Sequence, residues 1–152
     1  MAENPLSIDG MKAKIGEEGE PRVYEIEKGM ILRFVQAIDD PNPLWQDEEY
    51  ARKSQYGGII APPTLIPIIG FERILQQVSQ SIPQGTLLHG ATELECYQPV
   101  RPGESVTVTT KIANIRERQG KMGKMTFITF ENTYKNQRQE LVARCRQMVI
   151  GY

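Results

Sequence analysis

Histidine is nearly missing from this 152-residue chain: His89 is the only one. A metal site built from several imidazoles is therefore excluded, and no metal is expected. Cysteine is almost as scarce. Cys96 and Cys145 are too few for a disulfide scaffold and lack metal-ligand spacing. Each sits in a strand-like run, where a buried free thiol is the expected state. No sign of charge dominates, with 18 basic side chains against 19 acidic ones and a formal charge of −1. That balance argues against a nucleic-acid partner, which would call for a broad basic footprint. No apolar run reaches the length of a membrane span, and the opening Met-Ala-Glu-Asn-Pro lacks the basic-then-apolar plan of a signal peptide. Gly-x-Gly-x-x-Gly and Gly-Lys-Ser/Thr are absent too, so no phosphate loop is expected. These absences lead to the expectation of a cytoplasmic protein that binds neither nucleic acid nor membrane.

What remains suffices for one domain with a real core. Residues 1–20 are rich in Gly and Glu and read as a loosely ordered lead-in, with the domain proper over 21–152. Residues 21–27 read as a short strand. Ile31, Phe34, Val35 and Ile38 recur at helical spacing over 29–38. Asp39-Asp40-Pro41-Asn42-Pro43 must end that helix, because residues before proline avoid the α region and prolines donate no amide hydrogen. Asp47 suits the N-cap of a short helix over 48–54, which Gly57-Gly58 closes. The spacing from Thr64 to about Val78 predicts a long, buried central helix, with Pro67 tolerated in its first turn and Gly70 allowing close approach.

From Thr86 the period changes to two. Strands are expected near 88–96, 106–112, 124–134 and 140–150, separated by turns at Pro99–Gly103, Gln119–Gly123 and Asn136–Arg138. Four strands joined by short turns predict an antiparallel meander with the helices on one face, an α+β fold of about five strands wrapped around the central helix.

Three motifs in this order carry a resemblance. Phe34-Val-Gln-Ala-Ile-Asp-Asp40-Pro-Asn42-Pro43-Leu44-Trp45 resembles the hydratase motif of the MaoC-like dehydratase family, Gly-Asp-x-Asn-Pro-(aliphatic)-His after an apolar helix. Ala61-Pro62-Pro63-Thr64 is similar to the loop before the central helix in that family's N-terminal-type domain. Leu88-His89-Gly90, with Tyr97-Gln98-Pro99-Val100-Arg101-Pro102-Gly103-Glu104, resembles the start of its sheet and its first turn. The resemblance runs from about Pro21 onward. It implies a hot-dog fold and the addition or removal of water at an acyl thioester carried by coenzyme A or acyl carrier protein, with no other cofactor. It also implies an acyl tunnel between two hot-dog domains, hence a homodimer or a heterodimer with a catalytic MaoC-like subunit.

The chain departs from the motif at one decisive place. Asp40 matches the family's aspartate, but Trp45 stands at the histidine position, and an indole N–H donates without accepting. Asp40 is then either a catalytic carboxylate or a turn residue gathering backbone amides. Asn42 and Pro43 shape the loop. Trp45 either walls the acyl tunnel or packs in the core. His89 either plays a structural part or replaces the missing base from the sheet side, and by strict alternation shares a face with Ala91 and Glu93 unless Gly90 forms a bulge. Substrate contacts are expected from Trp45, Ala61, Pro62, Pro63, Thr64, Leu65, Ile66, Ile69 and Phe71. The Arg116-Glu117-Arg118 cluster with Lys121 and Lys124 either meets a carrier phosphate or is a solvated hairpin tip. Three functions fit: the substrate-binding half of a two-subunit (R)-3-hydroxyacyl-thioester dehydratase, a self-sufficient homodimeric hydratase or thioesterase, or a non-catalytic acyl-binding regulator.

Overall fold

The computed structural model describes residues 7–82 and 85–152. Helix α1 is Ile8–Ala13, strand β1 Arg22–Glu25, helix α2 Lys28–Ala37 and helix α3 Glu48–Lys53. Helix α4 is Phe71–Ser81, and strands β2 to β5 are Leu87–Cys96, Ser105–Gly120, Gly123–Asn136 and Leu141–Gly151. Two 3₁₀ turns, Pro43–Trp45 and Pro63–Ile68, complete the set. All strand pairs are antiparallel, in the order β1-β3-β4-β5-β2.

That order corrects the simple meander. β2 pairs with β5 and not with β3, because the link between β2 and β3 does not fold back as a hairpin. Val100 is buried and its carbonyl accepts the Ala61 amide at 2.7 Å, while Gly103 N donates to Ile26 O at 2.8 Å. These bonds anchor the link between β2, at one sheet edge, and β3, which lies next to β1 at the other.

The predicted central helix is also interrupted. Pro67 supplies no amide, and Gly70 takes φ +82°, a left-handed conformation open to glycine at little cost. The segment is therefore a 3₁₀ turn followed by α4, which runs on to Ser81. The interruption frees two carbonyls, and the sheet supplies their donors. Gln147 Nε2 donates to Pro67 O at 3.1 Å, and the Tyr134 hydroxyl to Ile69 O at 3.4 Å.

This arrangement divides the core. One apolar cluster gathers Ile31, Val35, Leu65, Ile69, Val106 and Val108; the other gathers Met11, Ile74, Val78, Ile112, Ile128 and Phe130. A polar seam lies between them in the strand sequences: Thr110 donates to Asn132 Oδ1 at 2.7 Å, and Asn132 Nδ2 to Gln147 Oε1 at 3.1 Å. Among the described residues no buried side-chain polar atom is left without a partner, so hydrogen bonds offset the cost of burying the seam.

The lead-in is tighter than its composition suggests. In residues 7–20, α1 is capped by Ser7, which accepts the Gly10 amide at 3.0 Å, and Met11 is fully buried in the second cluster. Gly16 and Gly19 then donate backbone bonds to Ile112 and Thr110 on β3. Residues 1–6 lie outside the described part. No helix among the described residues is long and apolar enough to cross a membrane.

Candidate functional site

The Asp40–Trp45 loop is positioned by the end of α2. Asp39 takes φ +52°, and the amides of Asp39 and Asp40 bond to the carbonyls of Gln36 and Val35 at 3.2 and 2.9 Å. This is a Schellman closure with aspartate where glycine is usual, and it fixes the direction in which Asp40 leaves the helix. The carboxylate then closes the loop on itself. Its Oδ1 accepts the Asn42 amide at 3.0 Å, and its Oδ2 accepts the Trp45 indole N–H at 2.9 Å. Asn42 Oδ1 accepts the Leu44 amide at 3.0 Å, capping the Pro43–Trp45 turn. Asp40 thus makes the hydrogen bonds of a turn residue, one to each carboxylate oxygen.

Trp45 is half-buried and packs on the first apolar cluster, which contains Ala61, Leu65, Ile66 and Ile69. Pro62 is also buried, whereas Pro63 and Thr64 are exposed and Phe71 is half-buried against the second cluster. An apolar-lined cleft of about 300 Å³ opens beside this segment, bounded by Tyr56, Ala61, Pro63, Ile66, Cys96 and Tyr97 among others. Three of the expected substrate contacts, Ala61, Pro63 and Ile66, line it. Leu65 and Ile69 face the core instead.

His89 is not brought to Asp40. Its Nε2 lies 2.7 Å from Thr92 Oγ1, and its ring meets Phe71 edge to face, with centroids 5.9 Å apart. A bulge between His89 and Ala91 sets this geometry. Paired antiparallel residues share a sheet face, so pairing with Gly151, Val149, Gln147, Cys145 and Ala143 puts Leu87, His89, Thr92, Leu94 and Cys96 on the helix side. Strict alternation would have put His89 with Ala91 and Glu93.

Cys96 is exposed, against the expectation of two buried thiols; only Cys145 is buried, and burial pushes its thiol up to about 11. Within the basic hairpin cluster one carboxylate is fully engaged. Glu117 pairs with both Lys12 and Lys124 at 2.5 Å, and those bonds, Lys12's first, hold its carboxyl below the ordinary range. No group of three or more metal-ligating side chains occurs among the described residues.

Sequence reasoning missed Asn132, Tyr134 and Gln147. A signal existed, since Asn132 and Tyr134 fall in phase with buried Ile128 and Phe130, and Gln147 with Cys145 and Val149.

A five-stranded antiparallel sheet with a broken helix packed on one face is the architecture of a hot-dog protein. Residues 13–145 match the family described as FAS1-like, dehydratase domain region, and the chain belongs to that family. A UPF0336 protein of Streptomyces avermitilis is 33% identical over 100 residues, which are 64% of this chain and 67% of that protein. A probable enoyl-CoA hydratase alpha subunit of Thermomonospora curvata is 26% identical over 152 residues, covering 88% of this chain and 48% of its own length. In fold, the chain is similar to the C-terminally truncated HadBC (3R-hydroxyacyl-ACP dehydratase) complex of Mycobacterium tuberculosis. The TM-score is 0.72 and the identity 19%, over 86% of this chain and 91% of that one.

Proposed function

We propose that this chain is the substrate-binding subunit of a two-chain (R)-3-hydroxyacyl-thioester dehydratase, working beside a MaoC-like subunit that supplies the acid–base pair. The observation that carries this reading is the 2.9 Å bond from Trp45 to Asp40. A general base must have a lone pair free to reach the proton it takes. Here the motif's histidine place holds a group that only donates, and the aspartate is held by that group and by the Asn42 amide. The scaffold persists without its chemistry. The cleft at Ala61, Pro63 and Ile66 would hold the acyl chain.

The exposed edge strand supports a partner of the same fold. Among the described residues β2 pairs only with β5, and most of its residues are exposed, including helix-side His89, Thr92 and Cys96. Ile68, on the 3₁₀ turn packed beside it, is about half exposed, at 53%. An edge strand of this length invites another chain, and a second hot-dog domain would continue the sheet and cover that face. The similar HadBC structure is itself a two-protein complex by name.

The test is co-expression with a MaoC-like chain that retains Asp-x-Asn-Pro-x-His. A stable one-to-one complex that hydrates crotonyl thioesters faster than the catalytic chain alone is expected. Failure to form that complex, with no gain in rate, would reject the subunit role. Hydration by this chain alone, abolished by His89→Ala, would point to a self-sufficient homodimer.

A further inference from the structure

A second cleft lies at the other side of the segment that carries the acyl cleft. Its volume is about 330 Å³, and Lys28, Arg52 and Arg101 meet there with Glu48, Gly57 and Gly58. Three cations therefore share one carboxylate. Glu48 is already paired with Lys28, and that bond, ahead of the nearby Arg52 charge, holds its carboxyl below the ordinary range. Arg52 and Arg101 meet no carboxylate at ion-pairing distance among the described residues, although Arg101 is half-buried. The nearby Glu104 carboxylate is taken by the Arg101 backbone amide at 2.9 Å, not by its guanidinium. Gly57 and Gly58 add no side chains, and a Cβ at Gly58 would stand 3.9 Å from Arg101 Nη1. The result is an open, positively charged recess with two guanidinium groups to spare. Planar guanidinium groups of this kind match phosphate oxygens in paired hydrogen bonds.

Resting on the acyl-thioester reading above, we propose that this recess binds the phosphate of the thioester's carrier. The two clefts flank one pair of chain segments, which the Ala61–Val100 backbone bond ties together. An acyl chain in one and a carrier phosphate in the other would clasp the substrate at both ends. Coenzyme A and a carrier protein's prosthetic arm both present a phosphate on pantetheine, and that shared group is the ligand of the recess.

Calorimetric titration of the full chain at low ionic strength, with pyrophosphate, 4′-phosphopantetheine, coenzyme A, pantetheine and crotonyl-pantetheine, tests the assignment. Each phosphorylated probe should bind Arg52→Gln/Arg101→Gln at least about tenfold more weakly than the unaltered chain. Pantetheine and crotonyl-pantetheine should bind both equally. The single variant Arg101→Lys, which keeps the charge, should recover part of the affinity, and its melting temperature checks the fold independently. An equal loss for phosphopantetheine and coenzyme A assigns the pantetheine phosphate; a loss for coenzyme A alone moves the contact to its nucleotide phosphates and overturns the pantetheine assignment. Unchanged affinity for every phosphorylated probe, or no binding of any of them, overturns the site. Absence of crotonyl-pantetheine binding overturns the acyl reading separately, because pyrophosphate still reports on the recess.

Discussion

Trp45 donates its indole N–H to Asp40 at 2.9 Å, so the position expected to hold a general base holds that aspartate's hydrogen-bond donor. Trp45→Phe keeps much of the ring's bulk and deletes this one bond. It should lower stability by about 1 kcal/mol, the usual worth of a single hydrogen bond. Asp40→Asn should cost more, because the Asn42 amide also loses a charged acceptor. Urea denaturation of the two variants and their combination measures the coupling, and additive effects would mean that the bond contributes nothing.

The polar seam should be the more sensitive feature. Gln147→Leu leaves the Pro67 carbonyl without its donor and Asn132 Nδ2 without its Gln147 acceptor, at a site where Gln147 is 3% exposed. A loss of about 2 to 3 kcal/mol is expected from unsatisfied buried groups. Tyr134→Phe removes only contacts at 3.4 Å and should cost about 1 kcal/mol or less. Denaturant midpoints at constant m-value would order the two; the reverse order would remove the seam's part in holding the helix break.

Acid should act through Glu117. Its pairing with Lys12 and Lys124 lowers its folded-state pKa. A depressed carboxyl adds stability above its unfolded pKa, and that stability fades as pH falls through the folded value. Glu117→Gln should therefore lower the melting temperature by a few degrees at pH 7, a small effect because the pair is solvent-screened. The gap should close below about pH 4. A gap that widened in acid would mean that the folded state raises this carboxyl's pKa instead of lowering it.

The two thiols should separate in reactivity. At pH 8, maleimide should label Cys96 and leave Cys145, which is fully buried with its thiol raised to about 11. Cys96 lines the cleft proposed to hold the acyl chain, so saturating crotonyl-pantetheine should slow its labelling. An unchanged labelling rate with ligand shown to be bound would move the acyl site elsewhere.

Much of this architecture could be read from local pattern. Asp47 caps α3 as expected, accepting the Tyr50 amide at 3.0 Å, and the period-two runs became strands. What failed was partner choice. Nothing local to residues 97–104 says that Val100 anchors a crossing link, because Ala61 and Ile26, which hold that link, lie far away in sequence. The helix break was half-visible in Pro67 and Gly70, but only the donors on β4 and β5 make a break tolerable. At the motif, Trp45 announced the missing base, while the closed geometry of Asp40 depended on how α2 ends. The Arg52 and Arg101 recess left no sequence signal, since its cations come from three separate segments.

Because β2 finds its only neighbour among the described residues in β5, the sheet cannot be completed in the order in which the chain is made. During synthesis, β2 emerges from the ribosome well before β5 and must stay unpaired while β3 and β4 zip together. Such long-range closure slows folding and leaves a sticky strand exposed in the interval. A nascent chain of this design therefore gains most from a chaperone, or from a hot-dog neighbour translated alongside, in that interval.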